Sequence, residues 1–290
     1  QPQMVKDWVP PTEFPDLRGA GLIAIDTETR DPNLIKHGPG DVRKDGYIVG
    51  VSIATDHGVR GYFPVRHEDG GNLDAGSVFR WLKDVLAGPQ PKVGANLLYD
   101  LGWLRTEGIS VGGPKWDIQV AEPLLDEDLD SYSLESLARN YLNVGKDEYL
   151  LKEGIQLLDP RLNPEKQKDV KGNLWRLHSK YVGPYGEADA DLPIRIFQKQ
   201  RVLLEEQDLW RVFELESRLI DILLEMRFKG IPVDVEKAIR ARETLLQKQN
   251  DLQKFIDKEA GIPIDIWSAD SIEIFCQANG LPYNTTTKDN

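Results

Sequence analysis

"LIAIDTET" occupies residues 22–29, and its reading decides the fold. The apolar run that begins at Gly21 and ends at Asp26 has the length and continuity of a fully buried strand. Side chains on a strand alternate between faces, so Asp26 and Glu28 point the same way and Thr27 the other. Two carboxylates that close repel each other unless a cation or a proton lies between them. Taken alone, the pair fits a hydrated strand end as well as a metal site, and the rest of the chain has to choose.

The 290 residues are 40% hydrophobic and 29% charged, the composition of a globular protein with one large and one smaller domain, or two domains. No stretch approaches the roughly 20 apolar residues of a membrane span, and the N-terminus lacks a signal-peptide pattern. The chain opens on Gln1, which suggests processing or excision. Cys276 is the single cysteine. An internal disulfide and a multi-cysteine zinc site are excluded, which fits a reducing, intracellular setting. A net charge of −12 argues against a protein that coats duplex nucleic acid, but not against an enzyme that grips one strand end through metal ions. The charge is uneven: residues 122–159 hold ten acids and three bases, and 160–182 hold six bases and two acids. That basic island is a candidate anion contact or a solvated loop.

Residues 1–20 read as an extended lead-in. Strands are expected at 47–55 and 59–65, joined by the turn Asp56-His57-Gly58, and again at 91–95. Helices are expected at 77–87 and at 96–108, the latter with Asn96 as its cap. From Asp117, itself a helix cap, the pattern is helical: 117–126, 133–142, about 173–182, and a long helix opening at Pro184. Helices at 212–229, 234–259 and 268–279 follow. All strands fall before residue 100, with a domain boundary near 210. The domains expected are thus a lead-in over 1–20, an α/β domain over 21–210 and a helical segment over 211–290.

Two further acids stand out. In "GANLLYDLGWL" (94–104) Asp100 lies four residues after Asn96, and in "YGEADADL" (185–192) Asp189 lies four residues after Tyr185. Each pair shares a helix face. In order, "DTET", "NLLYD" and "YGEAD" resemble the three motifs of the DnaQ-like 3′–5′ exonucleases: D-x-E, N-x-x-[FY]-D and Y-x-x-x-D. The resemblance is closest to the proofreading domain of family A DNA polymerases, the group that includes bacterial DNA polymerase I. "LLEMRFKGIPVD" (223–234) resembles the segment by which that family passes into its polymerase thumb, so the likeness covers roughly residues 20–290. Position 184, which would be histidine in the histidine-type branch, is proline, and Tyr185 marks the tyrosine type.

The resemblance implies an RNase H-like α/β fold, a central mixed sheet flanked by helices, followed by the helical start of a truncated polymerase domain. It implies that Asp26, Glu28 and Asp189 ligate one divalent ion and that Asp26 bridges to a second, supported by Asp100. Oxygen donors of this kind suit Mg²⁺ or Mn²⁺. Tyr185, with Glu28, would orient the attacking water, and Thr29, Asn96 and Tyr99 would line the substrate groove. The implied substrate is the 3′ end of single-stranded DNA, the primer strand, releasing nucleoside 5′-monophosphates. The implied partner is the rest of a polymerase chain, in a monomer working in the cytoplasm of a bacterial or phage-infected cell. An exoribonuclease of the RNase D type shares this site, and a vestigial strand-binding module would retain the fold without activity.

Three other features invite a reading. Pro193, four residues after Asp189, predicts a helix kink. The loop 30–46 carries four Lys/Arg plus His37 and either steers a strand or is merely solvated. In "KGNLWRLHSKYVG" (171–183), Trp175 and Arg176 are residue types suited to base stacking and phosphate contact, while Trp175 and Tyr181 are equally suited to a core.

Overall fold

The computed structural model describes residues 8–145 and 147–283. It forms two compact units, the first ending at Lys229 and the second starting at Gly230.

The first unit is built on a five-stranded sheet. In chain order its strands are β1 (Ile23–Arg30), β2 (Tyr47–Thr55), β3 (Arg60–Pro64), β4 (Lys92–Gly94) and β5 (Lys115–Asp117). The spatial order is β3-β2-β1-β4-β5. β1 is antiparallel to β2 and parallel to β4. The sheet is therefore mixed, as the sequence implies. β5 corrects the expectation that every strand precedes residue 100: this three-residue element exists through its parallel pairing with β4 and has no local pattern to reveal it.

The helices are α1 (Leu34–His37), α2 (Ala75–Leu86), α3 (Leu97–Thr106), α4 (Ile118–Leu125), α5 (Leu134–Leu142), α6 (Tyr149–Leu158), α7 (Gln167–Asn173), α8 (Ser179–Glu206) and α9 (Trp210–Lys229). A 3₁₀ turn, Leu174–Arg176, links α7 towards α8. On one face of the sheet, Ile23, Ile25, Ile48, Ile53 and Phe63 form a core with Val78, Leu82 and Leu86 of α2 and Trp103 and Leu104 of α3. On the other lies α8, which packs along β1, β2 and β3. Small residues let it approach closely. Ala24 and Ala54, paired across β1 and β2, contact Ala190 and Ile194, and a Cβ on Gly186 would stand 2.7 Å from Ser52 Oγ and 2.9 Å from Tyr62 Cδ2. Asp26 pairs with Ser52 and Glu28 with Gly50, so the two acids share this face.

α8 begins five residues earlier than Pro184, capped by His178, whose Nδ1 accepts from Lys180 N. Pro184 removes the bond to the carbonyl of Lys180, an exposed residue, where water can replace it. The helix runs as one element through Pro193 as well, where the sequence predicts a kink. α6 lies in a stretch with no expected helix. The loop after β1 is pinned rather than loose: Asp41 is fully buried, and Arg227 of α9 reaches it at 3.4 Å while donating to the Leu98 carbonyl of α3 at 3.2 Å. Its Arg43 is spent internally, donating to the His37 and Gly38 carbonyls and pairing with Asp45.

The second unit holds α10 (Val235–Ala260) and α11 (Ala269–Ala278). Asp234 caps α10 by accepting from Lys237 N, and Gly261 ends it in the left-handed region. Asp257 and Gln253 bind the backbone of Ile264, tying the turn back onto α10.

Candidate active site

The first and third sequence motifs converge. One carboxylate oxygen from each of Asp26, Glu28 and Asp189 lies within 4.8 Å of the others. Asp26 and Glu28 are half-buried on β1, and Asp189 is buried on α8, one turn after the buried Tyr185. This set offers hard oxygen donors without sulfur or imidazole, and a cation among the three removes their mutual repulsion. The residues therefore fit a divalent metal ion of the oxygen-preferring kind.

Asp100 arrives from the other side of the strand. β4 pairs with β1 only at Ile23 and Ala24 and then gives way to α3, which leaves the next stretch of the β1 edge open. Asp100 fills it: its Oδ1 accepts from Thr27 N at 2.9 Å and Thr27 Oγ1 at 2.6 Å. Thr27, between the two acids, thus fixes a third. Burial, and then the charge of Asp26, raise the Asp100 carboxyl well above its usual range, against the lowering effect of the Thr27 hydrogen bonds. Burial and the charges of Asp189, Glu28 and Asp26 likewise drive the Tyr185 phenol well above its ordinary value. A phenol raised in this way is protonated at neutral pH.

Asn96 does not cap α3 with its side chain, as the sequence suggests. It adopts the left-handed conformation (φ 65°), and the capping is done by Asp117. That carboxylate accepts from Asn96 N and Leu97 N at the start of α3 and from Gln119 N in α4. One buried acid therefore orients both helices, and through α3 it places Asp100. Thr29 and Tyr99 are joined to each other, hydroxyl to hydroxyl at 2.7 Å, with Tyr99 also donating to Asp31 at 3.2 Å. Trp175 is half-buried with Arg30 stacked on its ring. Arg176 turns to Asn173 at 3.0 Å and Glu68 at 3.6 Å.

Two residues of this region carry no motif. Tyr62 on β3 is fully buried on the α8 face, and its hydroxyl shares a 2.7 Å hydrogen bond with the buried His67. Burial holds His67 down to about 4, so it is neutral. The only signal in the sequence is the alternation of β3, which places Tyr62 opposite the face taken by Phe63.

A family model described as a 3′–5′ exonuclease, that of DNA polymerase A, matches residues 13–205. A DNA-directed DNA polymerase of Pseudomonas phage M6 is 38% identical over 293 residues, covering 97% of this chain and 43% of that protein. DNA polymerase I of Chloroflexus aurantiacus is 28% identical, over 88% of this chain and 25% of that one. Among solved structures, Brucella melitensis NrnC bound to pGG superposes with a TM-score of 0.53 at 17% identity, covering 74% of this chain and 90% of that one; this shows a shared fold. The chain spans less than half the length of the two polymerases. With the family model matched over most of the first unit and the acids of the first and third motifs meeting beside β1, the chain belongs to the 3′–5′ exonuclease domain family of the family A DNA polymerases.

Proposed function

We propose that this domain proofreads for a family A DNA polymerase, removing nucleotides from the 3′ end of a single-stranded primer terminus as 5′-monophosphates. The observation that carries this reading is the convergence of Asp26, Glu28 and Asp189 within 4.8 Å, beside a buried Asp100 and a protonated Tyr185. Asp26, Glu28 and Asp189 would hold one Mg²⁺ or Mn²⁺ ion, and Asp26 with Asp100 a second. Bound there, the ions supply a water-derived nucleophile at neutral pH and counter-charge for the leaving 3′ oxygen. Tyr185 donates its phenolic proton in a hydrogen bond that orients the attacking water, with Glu28 accepting from that same water. Thr27 keeps the Asp100 carboxylate turned into the site.

The polymerase partner is the remainder of a longer chain, the working form is a monomer, and the setting is the cytoplasm of a bacterial or phage-infected cell. The test uses 5′-labelled single-stranded DNA and matched RNA, with Mg²⁺, with Mn²⁺ or with chelator, and Asp26→Ala alongside. A metal-dependent ladder from the DNA 3′ end, absent in the variant, is the expected result. Faster degradation of RNA would instead make it an exoribonuclease of the RNase D type, and no cleavage with either metal would make it a vestigial module.

A further inference from the structure

We propose that Arg30, set against two aromatic rings, binds a non-scissile phosphate of the nucleic-acid strand entering the metal site. The inference rests on the exonuclease reading above and adds a substrate-positioning residue that lies outside the three motifs.

Arg30 is the last residue of β1, two beyond Glu28. At the rise of a strand, its Cα lies about 7 Å further along than that of Glu28. Its guanidinium carbon stands 4.8 Å from the centroid of the Trp175 ring and 5.7 Å from that of Tyr47, its partner in the strand register. The platform is itself anchored. Trp175 Nε1 donates to the Gly172 carbonyl at 3.0 Å, and the Trp175 carbonyl accepts from Glu68 N at 2.9 Å. Trp175 lies in the 3₁₀ turn that packs on β1 and leads towards α8, the helix that covers Asp26 and Glu28.

What sets Arg30 apart is its bonding. Its guanidinium makes no hydrogen bond and no ion pair with the described residues, whereas other arginines are committed: Arg66 to Glu107, Arg43 to Asp45 and Arg176 to Glu68. Stacking uses the faces of the guanidinium and leaves the N–H donors at its edge. A planar cation carried two residues beyond Glu28 and half-buried against aromatic rings has the form of a phosphate fork. The scissile phosphate belongs with the metal ligands, so Arg30 is placed for the next phosphate along the strand.

The experiment compares wild type, Arg30→Met and Arg30→Lys on a single-stranded DNA oligonucleotide and on the p-nitrophenyl ester of thymidine 5′-monophosphate, which has one phosphodiester and no neighbouring phosphate. Loss of a charge-assisted contact should raise the oligonucleotide KM about tenfold in Arg30→Met with kcat little changed. Arg30→Lys should recover part of that loss, and ester hydrolysis should match wild type. Removing one phosphate contact should also lower the slope of log affinity against log salt by about 0.7. Equal losses on both substrates, or an unchanged KM and salt slope, would overturn the proposal and leave the exonuclease reading standing. Wild type that cleaves neither substrate with Mg²⁺ or Mn²⁺ would overturn both.

Discussion

His67 should make the first unit sensitive to mild acid. The ring is 4% exposed and bonded to the Tyr62 hydroxyl, and burial lowers its pKa from 6.5 to about 4. Because the native value is the lower one, the unfolded chain takes up a proton in this window that the native protein refuses. The stability His67 contributes is complete above pH 6.5 and is lost as pH falls towards 4. At about 1.4 kcal/mol per pH unit, the span corresponds to roughly 3 kcal/mol. Asp100 and Asp117, whose pKa values are raised, act in the opposite sense, so the comparison is made between wild type and His67→Gln at each pH. Urea unfolding followed by tryptophan fluorescence in chelator, between pH 7.5 and 4.5, measures both. The stability gap between the two proteins should narrow by roughly 2–3 kcal/mol on acidification. A gap that stays constant would mean that His67 titrates as in water, and the reading of a neutral Tyr62–His67 pair would be wrong.

Two other substitutions test how the site is held. Asp117→Ala removes the acceptor of three helix-terminal N–H groups and should cost about 2–3 kcal/mol in urea unfolding, with nuclease activity falling as Asp100 loses its placement; unchanged stability would refute the double cap. Gly186→Ala puts a methyl group 2.7 Å from Ser52 Oγ and should destabilise by about 1–3 kcal/mol despite the better helix former. Its kcat should fall with it, because Tyr185 and Asp189 ride on the same helix; a variant as stable and active as wild type would show that α8 has room to spare.

How much of this was legible in the sequence depends on the range over which each feature is determined. β2 matches its expected bounds of 47–55 because its apolar pattern is local and its ends are polar. β1 runs on to Arg30, past the apolar run that ends at Asp26, since pairing with β2 continues through the acidic residues. β5 is created by its neighbour. The start of α8 was obscured by Gly183-Pro184, which reads as a break but is tolerated where the residue that loses its bond, Lys180, is exposed. The four acids were readable from motif spacing and resemblance. The supports beneath them were not: Thr27 bonding Asp100, Asp117 serving two helices, and Arg30 clamped by Tyr47 and Trp175 each depend on residues far apart in the chain.

The tie between Arg227, Asp41 and the Leu98 carbonyl has a mechanical consequence. The loop that follows β1 has the composition of a free surface loop, rich in glycine and charge, yet one cross-link from α9 passes over α3 and clamps it. Moving the loop away from the site would strand the buried Asp41 carboxylate without its cation, which is costly. The loop and the start of α3 are thus coupled to the last turn of α9 as one body. Backbone amides from Gly40 to Gly46 should open to solvent together with α9 and not one by one, so the position of the loop is set by a helix rather than by the loop itself.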